Sequence, residues 1–258
     1  MKITSLIENT SCRDDIIPQH GLSLFIETNG KKILFDTGQS DLFAKNAAAL
    51  GIGLADADIA VISHGHYDHG GGLETFLSVN GSAPVYINRH AFEPHFNADD
   101  RYIGLDVLLE TNERIVFTDG DVAVGDGVTL FSGEGREKKY DLGSFGLKMR
   151  DRGELVPDDF RHEQYLMIEE KGRRVLFSGC SHMGIMDIEE WFSPDVLVGG
   201  FHFSKLPTDG TLADYAMRLA SFDTDYYTCH CTGTAQYEFM KKYMNRLTYL
   251  PSGKTVEI

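Results

Sequence analysis

Eight consecutive residues of the sequence concentrate side chains that can bind metal ions. Segment 63–70 reads Ser-His-Gly-His-Tyr-Asp-His-Gly and places His64, His66, Asp68 and His69 within six positions. Neutral imidazole and carboxylate groups are ligands that zinc and similar divalent ions accept. Because such ions activate water in hydrolytic enzymes, the segment predicts metal-assisted hydrolysis.

A strand, a tight loop and a helix are predicted to hold this segment rigidly. Residues 58–62 form an apolar run typical of a strand, and three glycines follow at 70–72. A helix is predicted from about Leu73 to Val79. A loop held between a strand and a helix directs its ligand side chains toward one point. This structural context favours a metal site over the alternative interpretation, a polar loop with coincidental histidines.

The arrangement H-x-H-x-D-H after a strand resembles the metallo-β-lactamase superfamily. Residues 20–39 resemble the opening hairpin of that superfamily, with its Asp-Thr-Gly turn. The segments GCSH (179–182), GGFH (199–202) and HCTG (230–233) resemble, in this order, the branch of dihydropterin ribofuranosylaminobenzene phosphate synthase-like proteins. The resemblance covers nearly the whole chain and is least informative over residues 90–160. It implies an α+β fold of the α/β type, a four-layer αββα sandwich.

The order of elements agrees with a single domain spanning residues 1–258. A chain of 258 residues is long enough to bury a substantial core, and no linker, low-complexity run or internal repeat divides it. Each half shows a hairpin followed by strand–loop–helix units, with hairpin turns at residues 29–30 and 171–172. The middle, residues 89–159, is predicted to be irregular and to form loops around an active-site mouth.

Composition and charge exclude several kinds of partner. The net charge of −15 argues against nucleic acid, since nucleic-acid binders need basic surface, but it leaves a small anionic substrate open. No stretch approaches the ~18 apolar residues of a membrane helix, so no membrane partner is expected. The N-terminus reads as a strand and not as a signal peptide, and four cysteines are too few for a disulfide framework. We therefore expect a cytoplasmic protein with a small-molecule substrate.

The resemblance also implies a ligand set for two divalent ions, with zinc as the first choice and manganese or iron as alternatives. His64, His66 and a later histidine would hold one ion. Asp68, His69 and a C-terminal histidine would hold the other. His230 is the C-terminal candidate, because it lies between a predicted strand and a predicted helix.

The remaining ligands and the substrate contacts leave alternatives open. His182 follows a strand end and is our choice for the first ion. His162 precedes a predicted strand at 164–169 and is the rival ligand, a residue that supports a ligand from behind, or a substrate contact. Cys180 stands where many relatives carry a bridging aspartate; its thiolate is either a metal ligand or a small core side chain. His202 ends a strand and is predicted to contact substrate, with a structural hydrogen bond as the alternative.

Other residues are assigned supporting or packing roles. Asp36 closes the first hairpin and only accepts hydrogen bonds, so we interpret it as a group that orients a ligand histidine. Cys229 and Cys231 flank His230, and alternation along an extended chain would point both away from it, so we expect them to pack. His95 lies in the irregular middle and is expected at the surface.

The leading functional hypothesis is a dinuclear metal-dependent hydrolase acting on a small ester, phosphoester or related substrate. Two ions would lower the pKa of a water molecule from about 15.7 toward ~7 and stabilise the oxyanion that develops. Asp68 would be the catalytic residue, holding one ion and orienting the attacking water. The alternative is a metal-dependent transferase or synthase of the type named by the branch. A redox centre is less favoured, since such relatives carry Glu where this chain has His66.

Overall fold

The computed structural model describes residues 1–140 and 142–258, in which short strands alternate with short helices. The strands are β1 (Lys2–Ile7), β2 (Ser23–Thr28), β3 (Lys31–Phe35), β4 (Ile59–Ile62), β5 (Val85–Asn88), β6 (His95–Phe96), β7 (Ile115–Thr118), β8 (Val122–Gly125), β9 (Val128–Ser132), β10 (Lys148–Asp151), β11 (Glu154–Pro157), β12 (Gln164–Glu170), β13 (Arg173–Ser178), β14 (Val196–Gly199), β15 (Asp225–Thr228), β16 (Leu247–Tyr249) and β17 (Thr255–Glu257). The α-helices are α1 (Leu42–Ala49), α2 (Tyr67–Gly70), α3 (Leu73–Val79), α4 (Ile185–Phe192), α5 (Gly210–Ala220) and α6 (Thr234–Met240), and 3-10 turns cover Leu54–Asp56, Val107–Leu109 and His230–Thr232.

Two large sheets organise the described residues. One has the strand order β17-β1-β2-β3-β4-β5-β7, and the other has the order β16-β15-β14-β13-β12-β9-β8. Each sheet joins an antiparallel part to a parallel part, which comprises β3-β4-β5-β7 in the first sheet and β13-β14-β15-β16 in the second. Parallel neighbours need crossover connections, and helices α1 to α6 supply most of them.

Alternation along the strands divides the apolar side chains among three cores. On β3, Ile33 and Phe35 join the core between the two sheets, while Leu34 joins the core under helices α1 and α3. On β13, Phe177 faces Phe35 across the central core, at 5.8 Å between ring centroids, and Leu176 packs under the helices of the second sheet. These three cores separate four layers, so the predicted αββα sandwich is confirmed.

The carboxyl ends of the parallel strands bring the chemistry-bearing loops to one edge. The loop after β4 carries the histidine-rich segment 63–70, and the loops after β13, β14 and β15 carry segments 179–182, 199–202 and 230–233. Ligands of open α/β sheets commonly bind at this edge, because the loops from neighbouring strands leave it side by side.

The middle of the chain contains more regular structure than the sequence predicts. β10 pairs with β11 on one side and with β6 on the other in a separate three-stranded sheet, and β7 and β8 extend the edges of the large sheets. β10 (KMRD) and β11 (ELVP) leave most of their residues exposed or half-buried, so they lack the apolar alternation by which a strand is recognised. The prediction of an irregular middle is therefore wrong for these segments.

The helices are short throughout the described part of the chain. None of those in residues 1–140 and 142–258 combines the length and the apolar character that crossing a membrane requires.

Candidate metal centre

The loop after β4 is held in a shape that only glycine allows. A β-carbon on Gly65 would lie 2.2 Å from the carbonyl oxygen of Ala91, too close for any side chain. The Gly65 amide donates to Nδ1 of His162 at 2.9 Å. His64 and His66 therefore project from a loop that is fixed on both sides, and α2 begins directly afterwards with Asp68 in its first turn.

Three histidines form the first candidate ligand group. One ring nitrogen of each of His64, His66 and His182 lies within 4.8 Å of those of the other two, and all three side chains are buried. Nε2 of His64, Nε2 of His66 and both nitrogens of His182 have no hydrogen-bond partner among the described residues. Burial lowers the pKa of each ring well below its ordinary value, so the rings are neutral and offer lone pairs.

A second group adjoins the first. Nε2 of His69 lies 3.2 Å from Nε2 of His230, and Oδ2 of Asp68 lies 3.4 Å from Nε2 of His230 and 3.1 Å from Nε2 of His20. Burial opposes ionisation of Asp68, but His69, His20 and His230 outweigh it and hold the pKa of the carboxyl well below its ordinary value. A charged carboxylate and converging imidazoles form a donor set that suits a divalent cation.

Cys180 connects the two groups. Its sulfur lies 3.2 Å from Nε2 of His69. This sulfur and one ring nitrogen each of His64 and His69 all lie within 4.8 Å of one another. Burial raises the pKa of the Cys180 thiol, whereas hydrogen bonds from Cys180 and His202 overcome burial and lower the pKa of Cys231. The two sulfurs lie in one cluster with His202, in which one ligand atom of each residue is within 4.8 Å of the other two.

Asp36 orients two of these histidines. Its Oδ2 accepts from Nδ1 of His69 at 2.7 Å and from Oγ of Ser63 at 2.8 Å, and Oδ1 accepts from the Ser63 amide. Oγ of Ser63 also lies 2.8 Å from Nδ1 of His64, and Nδ1 of His230 lies 2.9 Å from Oδ1 of Asn9. Since each Nδ1 atom is occupied, each Nε2 atom faces the centre.

His162 lies behind His66 and not in the cavity. Because its Nδ1 accepts from the Gly65 amide, its Nε2 carries the proton, and this atom faces Oδ2 of Asp158 at 3.5 Å. Burial, with a contribution from His95, lowers the pKa of His162 to about 4. The ring is fully buried and does not line the cavity, so its surroundings favour support of the loop over contact with substrate.

The structure places His95 differently from the sequence expectation. His95 is 1% exposed, and its Nδ1 donates to Oδ2 of Asp158 at 2.9 Å. His95, Asp158, His66 and His162 form a fourfold buried group of ligand-type atoms within 4.8 Å. The surface prediction for His95 is wrong because His95 lies on β6, an edge strand of the small sheet, and its side chain is buried beside Asp158 and His162. The polar strands of that sheet gave no signal in the sequence.

The loops that carry these groups are strained. Four non-glycine residues that follow the ends of parallel strands have left-handed backbone: Asp36 (φ 60°), Ser181 (φ 58°), His202 (φ 56°) and His230 (φ 50°). Such conformations persist only where the surrounding structure imposes them, and they concentrate at functional sites. The turn at His230 also ends the extended chain, so side chains no longer point alternately to opposite faces beyond Cys229.

That turn separates the two cysteines next to His230. Cys229 packs in the core between the sheets, as expected. Cys231 lines the cavity, and its sulfur approaches Cys180 and His202. The expectation that Cys231 packs away from the site is therefore wrong, because the argument from strand alternation does not apply to a 3-10 turn.

An open cavity of about 180 Å³ lies over these groups. His202, a predicted substrate contact, lines it, as does Lys205, which the sequence analysis did not select. No ion pair involves Lys205 in the part of the chain that the structure describes. The lining residues are Asn9, His20, His66, Tyr67, Asp68, Ile103, Leu147, Cys180, His182, His202, Ser204, Lys205, His230 and Cys231.

Several known proteins are similar to this chain. An uncharacterised protein of Methanocaldococcus jannaschii is 30% identical over 99% of this chain and 100% of its own length. From the same organism, 7,8-dihydropterin-6-methyl-4-(β-D-ribofuranosyl)-aminobenzene-5'-phosphate synthase is 26% identical over 93% of this chain and 90% of its own. A crystal structure described as a metal-dependent hydrolase of the β-lactamase superfamily is 28% identical with a TM-score of 0.84, covering 100% of this chain and 99% of the other.

The family model for the metallo-β-lactamase superfamily matches residues 16–212, which include segment 63–70 and the loop after β13. The sandwich, the histidine-rich loop and the converging strand ends described above agree with that match. The chain belongs to the metallo-β-lactamase superfamily.

Proposed function

We propose that this protein is a metal-dependent hydrolase with a dinuclear centre, with zinc as the resident metal. The observation that carries the proposal is the pair of adjoining ligand groups joined by Cys180. In the first group, the buried imidazole nitrogens of His64, His66 and His182 converge without hydrogen-bond partners among the described residues. Unpartnered buried nitrogens cost free energy, which cation binding would remove. His64, His66 and His182 would hold one ion, and Asp68, His69 and His230 would hold the other, with Cys180 between them.

The residues of the chain would have distinct tasks in the reaction. Bound divalent ions supply a lowered water pKa and stabilisation of the negative charge that develops on the substrate. Asp68, held as a carboxylate beside His230, would bind one ion and accept a hydrogen bond from the attacking water. Asp36 and Ser63 would keep His69 and His64 oriented through their Nδ1 atoms.

The lining of the cavity supports our proposal that the substrate is small and anionic. Lys205 brings an ammonium group to the lining of a strongly acidic protein, and His202 lies near the candidate ligands. A phosphate or carboxylate group at Lys205 would place an adjacent ester bond toward His66 and Asp68. The net charge of −15 makes nucleic acid an unfavourable partner.

A synthase is the second candidate. It is favoured by the 26% identity to the M. jannaschii synthase, which covers most of both chains. In a transfer reaction the same residues would bind a leaving group and the cavity would exclude water, whereas hydrolysis needs water to enter. The solved relative described as a metal-dependent hydrolase favours the first candidate.

The experiment that tests the proposal compares the two reactions with one protein preparation. Zinc-loaded protein is incubated with a panel of small esters and phosphoesters, and separately with a pterin pyrophosphate and a ribosyl-aminobenzene phosphate. Water-dependent product that His66→Ala abolishes supports the hydrolase. Coupled pterin product without hydrolysis of the panel would contradict it and support the synthase.

A further inference from the structure

Three segments of the sequence meet at a point that the dinuclear centre does not explain. GCSH contributes Cys180, GGFH contributes His202, and HCTG contributes Cys231. One ligand atom of each lies within 4.8 Å of the other two. The residues come from the loops after β13, β14 and β15, which are parallel neighbours, so their positions are fixed by the sheet.

The position of Cys231 is tightly constrained. Its sulfur accepts from the His202 amide at 3.3 Å and lies 3.5 Å from the carbonyl oxygen of Cys180. A β-carbon on Gly200 would lie 2.3 Å from that sulfur, so the chain keeps a glycine where the thiol needs room. Cys231 is 7% exposed and faces the cavity, whereas Cys229, two positions earlier, has no exposed surface.

Unpartnered imidazole nitrogens surround the same point. Nδ1 of His202 and both ring nitrogens of His182 have no hydrogen-bond partner among the described residues, and His182 is 2% exposed. The rings of His182 and His202 lie 4.3 Å apart, centroid to centroid. The sulfurs of Cys180 and Cys231, together with the unpartnered Nδ1 of His202, form a donor set for a soft cation.

We propose that Cys180, His202 and Cys231 form an additional, thiolate-rich cation subsite that takes a thiophilic divalent ion such as Zn²⁺ or Cd²⁺. The subsite shares Cys180 with the proposed dinuclear centre. It rests on the proposed function only in this shared side chain, because His202 and Cys231 are not ligands of that centre. Two cations near each other repel, and the shared thiolate between them reduces that repulsion. When the ion binds, each thiol proton that the two sulfurs still carry passes to solvent, and both sulfurs ligate as thiolates.

The test is a Cd²⁺ titration of the full-length protein after its centre has been filled with Mn²⁺, which prefers oxygen and nitrogen ligands. Thiolate-to-cadmium charge-transfer absorption is recorded for wild type, Cys231→Ala and Cys229→Ala. We expect the absorption to fall to about half in Cys231→Ala, because one of two thiolates is lost, and to stay unchanged in Cys229→Ala. Equal absorption in wild type and Cys231→Ala would overturn the subsite.

A second measurement needs no variant and so does not depend on how Cys231→Ala folds. Wild-type crystals are soaked in Cd²⁺ and anomalous scattering is measured. A peak at bonding distance from the sulfurs of both Cys180 and Cys231 supports the subsite, and a peak that contacts only Cys180 overturns it. Failure of the protein to bind Mn²⁺ would count against the dinuclear centre alone. The positions of the anomalous peaks would still test the subsite, because they identify which sulfurs bind Cd²⁺ without prior filling by Mn²⁺.

Discussion

Asp36 and His69 form a fully buried pair, with 2.7 Å between Oδ2 of the carboxylate and Nδ1 of the ring. Burial alone would lower the pKa of His69, but Asp36 and Asp68 outweigh it and raise that pKa. The pair fixes the ring so that its Nε2 faces Cys180 and His230. Asp36 thus links the end of the first hairpin to the candidate metal centre.

Asp36→Asn is expected to weaken metal binding by about 10- to 100-fold, because an amide replaces the charged acceptor of His69 Nδ1. Competition with a chelator measures the affinity, and circular dichroism verifies that the variant is folded. Asp41→Asn, at an exposed aspartate that pairs with Lys45, is the matched control. A folded Asp36→Asn variant with wild-type affinity would contradict the orienting role.

Asp158→Asn tests the buried group behind His66. Asp158 accepts from His95 and faces Nε2 of His162. Nδ1 of the same His162 ring accepts from the Gly65 amide in segment 63–70. Loss of the charge should loosen this loop and lower metal affinity by about tenfold. Asp159→Asn is the control, since that neighbouring side chain is 55% exposed; equal affinities in the two variants would show that the group does not support the centre.

The substitution Lys205→Ala tests whether the substrate is anionic and is bound by the Lys205 side chain. Removal of the cavity ammonium should raise KM for a phosphorylated or carboxylated substrate by about tenfold at low salt and leave kcat nearly unchanged, with a smaller effect at high salt. Steady-state kinetics at two salt concentrations measure both parameters. Lys45→Ala, far from the lining residues, serves as control, and an unchanged KM in Lys205→Ala would indicate that the substrate is not held by this charge.

Glu189 on α4 lies away from the candidate metal ligands, and we expect it to make the stability of the fold depend on pH. Burial raises its pKa to about 7, and Thr224 donates a hydrogen bond to its Oε1 while Oε2 has no partner among the described residues. The folded state then binds more protons than the unfolded state between the ordinary value of 4.5 and about 7. Its contribution is present below that interval and is lost as the pH rises through it.

Glu189→Gln should therefore gain stability relative to wild type as the pH rises from 5 to 8, by up to about 3 kcal/mol. Urea unfolding at several pH values measures the difference. The exposed Glu74→Gln serves as control. Parallel stability curves for Glu189→Gln and wild type would show that this carboxyl does not titrate differently on folding.

The fold and the metal loop follow from patterns that are local in the sequence. The apolar run at Ile59–Ile62 and the histidines after it identify the strand, the loop and the candidate ligands together, and α3 begins and ends where predicted. Asp36 was assigned its orienting position from its place after β3, and the structure puts it beside His69.

What the sequence did not reveal depends on contacts between distant segments. His95 is buried beside Asp158, 63 positions later, which follows the last residue of β11 and pairs with the His95 ring. Cys231 faces the cavity because His230 takes a left-handed backbone, which cannot be read from residue type. Lys205 belongs to no sequence motif that would mark it as a functional residue, and only the arrangement of the strand ends brings it to the cavity.

Metal content per chain tests the central claim most directly. Untagged protein is purified without added metal and analysed by mass spectrometry together with His66→Ala and a control variant, His90→Ala, whose ring pairs with Glu93 outside the cavity. The account predicts about two equivalents of zinc at the two adjoining ligand groups in wild type and His90→Ala, and a clear loss in His66→Ala. Wild-type metal content in a folded His66→Ala variant, or no metal bound by the wild type even after zinc is supplied, would contradict it.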